Sequence, residues 1–249
     1  MILNISNHEF TVIERGVFYF ALPNYPNISA YELEDILAFI KYEKMYGCQT
    51  EIVCENATIL AAVNNAISHP ATVENALLPD DSLTKFVYHA TSLDATKKIL
   101  SGGRLLSATK ISGKSGTELA YEKRDSPWND PPDYFEYIMF GWGDSPIGDY
   151  VVMSEKPDSD FTPGVRFYFR WTDLIQHPGH VFDGYHPVKV KDVIILSDYL
   201  YACIVPEQYR IELDSYILPE LASKVYYLPQ NKLGIMDWND MVYHFITKR

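Results

Sequence analysis

Lys85-Phe-Val-Tyr-His-Ala-Thr-Ser92, followed by residues 93–100 and then Gly102-Gly-Arg-Leu-Leu-Ser107, is the stretch on which the reading of this chain turns. Its aromatic and β-branched run predicts a strand over 85–89, and the segment behind it predicts a helix over 94–101 closed by the glycine pair. Residues two apart on a strand share a side, so His89 and Thr91 point the same way. An imidazole beside a hydroxyl can grip a ribose diol or a carboxamide, and the small Ala90 lets a flat ligand approach the backbone. The same histidine also fits a hydrogen-bonded core residue.

Downstream of this block the sequence is a patchwork of short β-like runs, single helical turns and loops rich in Gly, Pro, Asp and aromatics. Strands are expected at 149–153, 165–170, 188–196, 201–205 and 224–228, and helices at 116–124, 132–139, 206–217 and 237–246. Upstream, residues 9–22 suggest a hairpin around Glu14-Arg-Gly16. Ser29 and Glu32 have capping-box spacing, and Leu33, Ile36, Leu37 and Ile40 then mark one apolar helix face, with Gly47 as its stop. A strand over 48–55 and a second helix from Asn56 to about Ser68 complete a small βαβα domain. Residues 71–84, with Pro79, paired aspartates and a serine, suit a linker. The expected organisation is therefore α+β, with domains at 1–70 and 85–249.

Composition narrows the partners. The chain has 249 residues, 47% hydrophobic and 22% charged, which excludes disordered, collagen-like and coiled-coil classes. At that length roughly three quarters of the unfolded surface can be buried without metal or disulfide support. The 21 basic and 33 acidic residues give a net charge of −12, so a broad basic face for non-specific nucleic-acid binding is not expected. The three cysteines, Cys48, Cys54 and Cys203, lack metal-site spacing and read as reduced thiols. No signal peptide or apolar span of membrane length is visible, so the expected location is cytoplasmic with no membrane partner.

The block Tyr88-His-Ala-Thr-Ser92, with its helix and Gly-Gly-Arg-Leu-Leu-Ser, resembles the first motif of the ADP-ribosyltransferase superfamily, and is most similar to the DarT-type and poly-ADP-ribose-polymerase-like branches. The resemblance implies a second domain of two packed, mostly antiparallel sheets with inserted helices, and NAD as a substrate held by His89, Ala90, Thr91 and Ser92. Arg124, ahead of Asp149-Tyr-Val, is similar in order to a family arginine; Arg124 or Arg104 would then pair with the pyrophosphate. Gly164-Val-Arg-Phe-Tyr168-Phe resembles the block whose aromatic stacks on nicotinamide. The family's late strand carries a catalytic glutamate, whose slot here holds Ala202 or Cys203; Glu207 follows several residues later and takes the role in this reading, with Glu122 as another acid. The implied activity is transfer of ADP-ribose to an unspecified macromolecule, in a toxin- or defence-related setting. A non-catalytic nucleotide- or protein-binding module on the same scaffold is the alternative.

Other clusters carry less. His177-Pro-Gly-His180 with His186 has imidazoles but no spacing of a known metal site, and no metal is expected. Trp128 and Trp142 lie among turn residues and could stack on a ring or pack on their own loop. Asp158 and Asp160 read as a solvated loop. No GxxxxGKS or GxSxG is present, which argues against a P-loop NTPase or an α/β-hydrolase.

Overall fold

A computed structural model describes residues 2–8, 12–14, 17–45, 49–69, 85–123, 132–154, 161–181 and 186–249. The fold is mixed, with helices and several sheets, as the α+β expectation required. By compactness the chain divides into two units. One comprises Met1–Leu78, Ser107–Tyr137 and Val181–Lys191; the other comprises Pro79–Leu106, Ile138–His180 and Asp192–Arg249. The expected single boundary at 71–84 lies outside the described residues, and segments 107–137 and 181–191 group with the N-terminal residues rather than with the rest of 85–249.

In the first unit, β1 (Ile2–Ser6), β2 (Val12–Glu14), β3 (Val17–Ala21) and β4 (Glu51–Val53) form a sheet of order β2-β3-β1-β4. β2 and β3 are antiparallel, as the hairpin reading expects, whereas β1 runs parallel to both β3 and β4. β1 is a strand the sequence reading missed: ILNIS is only five residues long, and its alternation rests on just two inward residues, Leu3 and Ile5. The helices α1 (Ala30–Met45) and α2 (Ala57–Ser68) begin where expected. Ser29 and Glu32 bond reciprocally, at 2.7 and 3.2 Å, and Asn56 caps Thr58 and Ile59 at 3.0 Å. Leu3, Ile5, Phe18, Phe20, Ile36 and Phe39 are buried, with Phe18 stacked on Phe39 at 4.3 Å.

Further along the chain come β5 (Phe86–Thr91), α3 (Leu93–Gly102), β6 (Arg104–Leu106), α4 (Ala108–Ser112) and α5 (Gly116–Glu122). A 3-10 helix at Pro132–Glu136 leads into β7 (Tyr137–Met139), which corrects the expected continuous helix over 132–139. Then follow β8 (Gly141–Trp142), α6 (Ile147–Ser154), β9 (Val165–Arg170) and α7 (Trp171–Leu174). Residues 149–153, expected as a strand, are thus helical. Gly148 lets this helix approach β5: a Cβ there would lie 2.8 Å from the Tyr88 ring and 3.0 Å from the Ala90 methyl. The remaining strands are β10 (His180–Val181), β11 (Lys189–Lys191), β12 (Val193–Ile195), β13 (Leu200–Pro206) and β14 (Val225–Leu228). The remaining helices are α8 (Leu196–Tyr199), α9 (Arg210–Leu213) and α10 (Ile235–Thr247). The expected strand over 188–196 is broken at Asp192, whose φ is 66°. The expected helix over 206–217 is a chain of short 3-10 and α turns.

The second unit is built on a five-stranded sheet of order β14-β13-β9-β5-β8, antiparallel except for β13 and β14. A separate two-stranded sheet pairs β12 with β6. Register settles which side chains share a face. Tyr88 lies opposite Tyr168, which lies opposite Ala202; His89 lies opposite Phe167, which lies opposite Cys203. Because successive side chains alternate, Tyr88, Arg166, Tyr168, Ala202 and Ile204 face one way, and Val87, His89, Thr91, Phe167 and Cys203 face the other. The first face is buried with Trp238, Val242 and Ile246 of α10.

Candidate functional site

His89 sits half-buried on the central part of the sheet, its ring 6.2 Å from that of Phe140. Its Nδ1 is 3.0 Å from the carbonyl oxygen of Met139. A carbonyl only accepts, so Nδ1 carries the proton and Nε2 of the neutral ring presents a lone pair. Burial lowers the His89 pKa from the usual 6.5, and the Met139 contact only partly offsets this, so the neutral form holds at pH 7. Thr91 points to the same face two residues on, at the C-terminal end of β5. The pair therefore offers an acceptor nitrogen and a hydroxyl on one side of a strand end.

The other sequence-derived candidates separate. Ala90 faces the opposite way and serves the close approach of Gly148. The Ser92 hydroxyl caps α3 by accepting from Ala95 N at 3.4 Å, so it is committed to the helix start. Arg104 opens β6 and is exposed on the two-stranded sheet. Arg124 lies outside the described residues, as do Trp128, Asp158, Asp160, Gly47 and Cys48. Trp142 packs against Trp171 at 6.3 Å, so it is part of its own fold.

Tyr168 is the main correction. It is wholly buried, on the face opposite His89, stacked on Tyr88 at 5.4 Å. Its hydroxyl donates to the Gly143 carbonyl at 3.2 Å and accepts from Arg166 at 2.9 Å. Burial pushes that hydroxyl up to about 12, although Arg166 opposes the shift. A ring so enclosed cannot stack on a nicotinamide held by His89. The motif that suggested a ligand aromatic instead fills the core beneath α10.

The acidic position is equally specific. Cys203, not Ala202, shares the row and face of His89; it is fully buried and its thiol is pushed up by burial. No carboxylate stands in that row. Glu207 follows β13 directly. β13 runs parallel to β5, because both are antiparallel to β9, and so Glu207 and Thr91 lie at the same end of the sheet. Its exposed carboxylate accepts from Arg210 Nε at 2.9 Å and Nη2 at 3.1 Å. The Arg210 guanidinium stacks 4.0 Å above the Tyr227 ring. Glu122 belongs to the first unit, where it is exposed and ion-paired with Lys114 at 2.7 Å.

Beneath His89, on the opposite face, lies a network that sequence reasoning missed. Arg166 and Asp149 are both wholly buried and form an ion pair, with Arg166 Nε and Nη2 converging on one carboxylate oxygen. Arg166 Nη1 also donates to Tyr168 at 2.9 Å and to Asn239 Oδ1 at 3.0 Å, and the guanidinium lies 4.7 Å from the Tyr88 ring centre. Burial opposes the arginine charge, but Tyr168, Asp149 and Tyr88 outweigh it and raise the pKa, so Arg166 stays charged. The available signal was an arginine at an inward position of a hydrophobic strand, Val165-Arg-Phe-Tyr-Phe.

Two of the loop histidines bond to backbone, and the third, His186, lies edge-on to the Tyr134 ring at 5.9 Å. His177 Nδ1 accepts from Gly179 N at 3.0 Å, and His180 Nδ1 donates to the His177 carbonyl at 2.7 Å. Among the described residues no cluster of three His, Cys, Asp or Glu side chains is placed to hold a metal. Likewise, no helix there is long and apolar enough to cross a membrane.

The chain matches no family model, no curated protein and no solved structure.

Proposed function

We propose that the second unit is an NAD-dependent ADP-ribosyltransferase, with the ribose end of NAD against the C-terminal end of β5. The observation that carries this reading is the fixed tautomer of His89. A bare Nε2 is an acceptor matched to a ribose hydroxyl, and the Thr91 hydroxyl on the same face can donate or accept beside it. Transfer breaks the bond between ribose and nicotinamide, which departs with the bonding electrons and leaves a cationic ribose. Glu207 would oppose that charge once its carboxylate is released from Arg210, and the acceptor's nucleophile would then close the new bond and lose its proton. The finer architecture, a transferase domain of two packed sheets, belongs to the same proposal, and its support is the mostly antiparallel five-stranded sheet with the separate β12-β6 pair.

Nicotinamide release by the purified chain is the test. Glu207→Gln keeps shape and a hydrogen-bonding oxygen but removes the charge, and it is expected to cut release by about 100-fold, as loss of one charge-stabilising group does elsewhere. Unchanged release would remove Glu207 from the mechanism. A second reading, a nucleotide-binding module without turnover, is favoured by Cys203 in the row of His89 and by the occupied carboxylate of Glu207. Binding of NAD with no release of nicotinamide would select it.

Acid should weaken binding in a defined direction. Protonation of His89 removes the acceptor lone pair, and its folded pKa lies below 6.5. The unfolded chain therefore takes up the proton first, so stability from this residue is full above about pH 6.5 and is lost as pH falls toward the folded value. NAD affinity is expected to stay flat from about pH 8 to 6.5 and to decline only below it. The decline should vanish in His89→Gln, measured by titration calorimetry across that range.

A further inference from the structure

We propose that the buried group of Tyr88, Arg166, Asp149, Tyr168 and Asn239 is a positioning device for His89, acting through the backbone of residues 139–149. Three of the five, Tyr88, Tyr168 and Asn239, hold pieces of that backbone directly. Tyr88 donates to the Ser145 carbonyl at 2.7 Å and accepts from Gly148 N at 2.9 Å. Tyr168 donates to the Gly143 carbonyl at 3.2 Å, and Asn239 Nδ2 donates to the Asp144 carbonyl at 2.7 Å. Arg166 ties Tyr168 and Asn239 together and closes on Asp149 in α6. Residues 143, 144, 145, 148 and 149 are thus gripped one after another by side chains from β5, β9 and α10.

This gripped segment continues directly into the partner of His89. β8 pairs antiparallel with β5, Gly141 opposite Tyr88 and Trp142 opposite Val87, and Gly143 N donates to the Phe86 carbonyl at 2.8 Å. Two residues before Gly141 is Met139, whose carbonyl accepts the hydrogen bond from His89 Nδ1. The loop anchors fix where β8 lies along β5, and that register sets where the Met139 carbonyl stands. Tyr88 and His89 are neighbours on opposite faces, so one strand carries the clamp on one side and the ring that it orients on the other. The charged group thereby decides which nitrogen of His89 is bare, without touching a ligand itself. Second-layer groups that fix a histidine's tautomer act in this way elsewhere.

The test separates positioning from plain stabilisation. Replacing both partners of a buried ion pair by apolar residues is often neutral for folding, whereas removing one is not. The double variant Arg166→Met/Asp149→Leu is therefore expected to fold while losing every guanidinium bond to the clamp. Tyr88→Phe is a milder second variant that keeps the ring and loses both loop bonds. The primary readout is the side-chain nitrogen spectrum of His89 without any ligand, assigned by its disappearance in His89→Gln. The wild-type chain should show one tautomer with the proton on Nδ1, and both variants should show a mixture. In the same samples NAD affinity should fall by about 10-fold. A wild-type ring without the Nδ1 proton, or folded variants that keep a single Nδ1-protonated ring, would overturn the proposal. The NAD arm rests on the function proposed above, but the tautomer arm does not. Failure of NAD to bind the wild-type chain would count against that function alone, with the spectra still deciding whether the clamp sets the ring.

Discussion

Arg166→Met alone should destabilise the second unit by about 3–5 kcal/mol, the cost of leaving a buried carboxylate without its counter-charge. Asp149 is wholly buried, and the converging guanidinium is what compensates its charge. Methionine fills the volume of the arginine stem but offers no donor, so Tyr168 and Asn239 lose a partner at the same moment. Thermal unfolding followed by calorimetry should show a midpoint lower by on the order of 10 °C. Adding Asp149→Leu should restore most of that loss, because the uncompensated charge goes with it. A single variant as stable as the wild-type chain would mean that the carboxyl is protonated and the ion pair contributes little.

That network also explains what was and was not legible beforehand. Local signals came through: the Ser29 box, the Asn56 cap, the β5 and β9 strands and the start of α3 all follow from neighbouring residues. Gly103, at φ 65°, ends α3 as the glycine pair indicates, and its carbonyl accepts from Leu196 N at 2.9 Å. Residues 149–153 misled, because Tyr150, Val151 and Val152 read as a strand by composition. They are helical in the fold, and Asp149 on that helix meets Arg166, seventeen residues along the chain. Tyr168 was legible as an aromatic on a strand, but its face was not. Only the register between β5 and β9 puts it with Tyr88 rather than with His89. The same register assigns Cys203, not Ala202, to the histidine's row. Side-chain patterns within a segment were readable; pairings across segments, which decide a site, were not.

His89→Ala carries the second large expectation. It removes the bare nitrogen and empties the half-buried space beside Phe140, while leaving the Arg166 network on the other face untouched. The lost hydrogen bond and packing should weaken NAD binding by at least about 10-fold. Folding should suffer less than in Arg166→Met, because the imidazole is only half-buried and makes a single bond to Met139. His89→Gln should retain part of the affinity by offering an acceptor oxygen in a similar place.

The most direct measurement is calorimetric titration of NAD into the wild-type chain and His89→Ala side by side at neutral pH. The account predicts saturable binding to the wild type and binding at least about 10-fold weaker in the variant, with both proteins folded. Absence of binding to the wild type, or equal binding to both, would make His89 a core histidine held by Met139 and would contradict the proposed function.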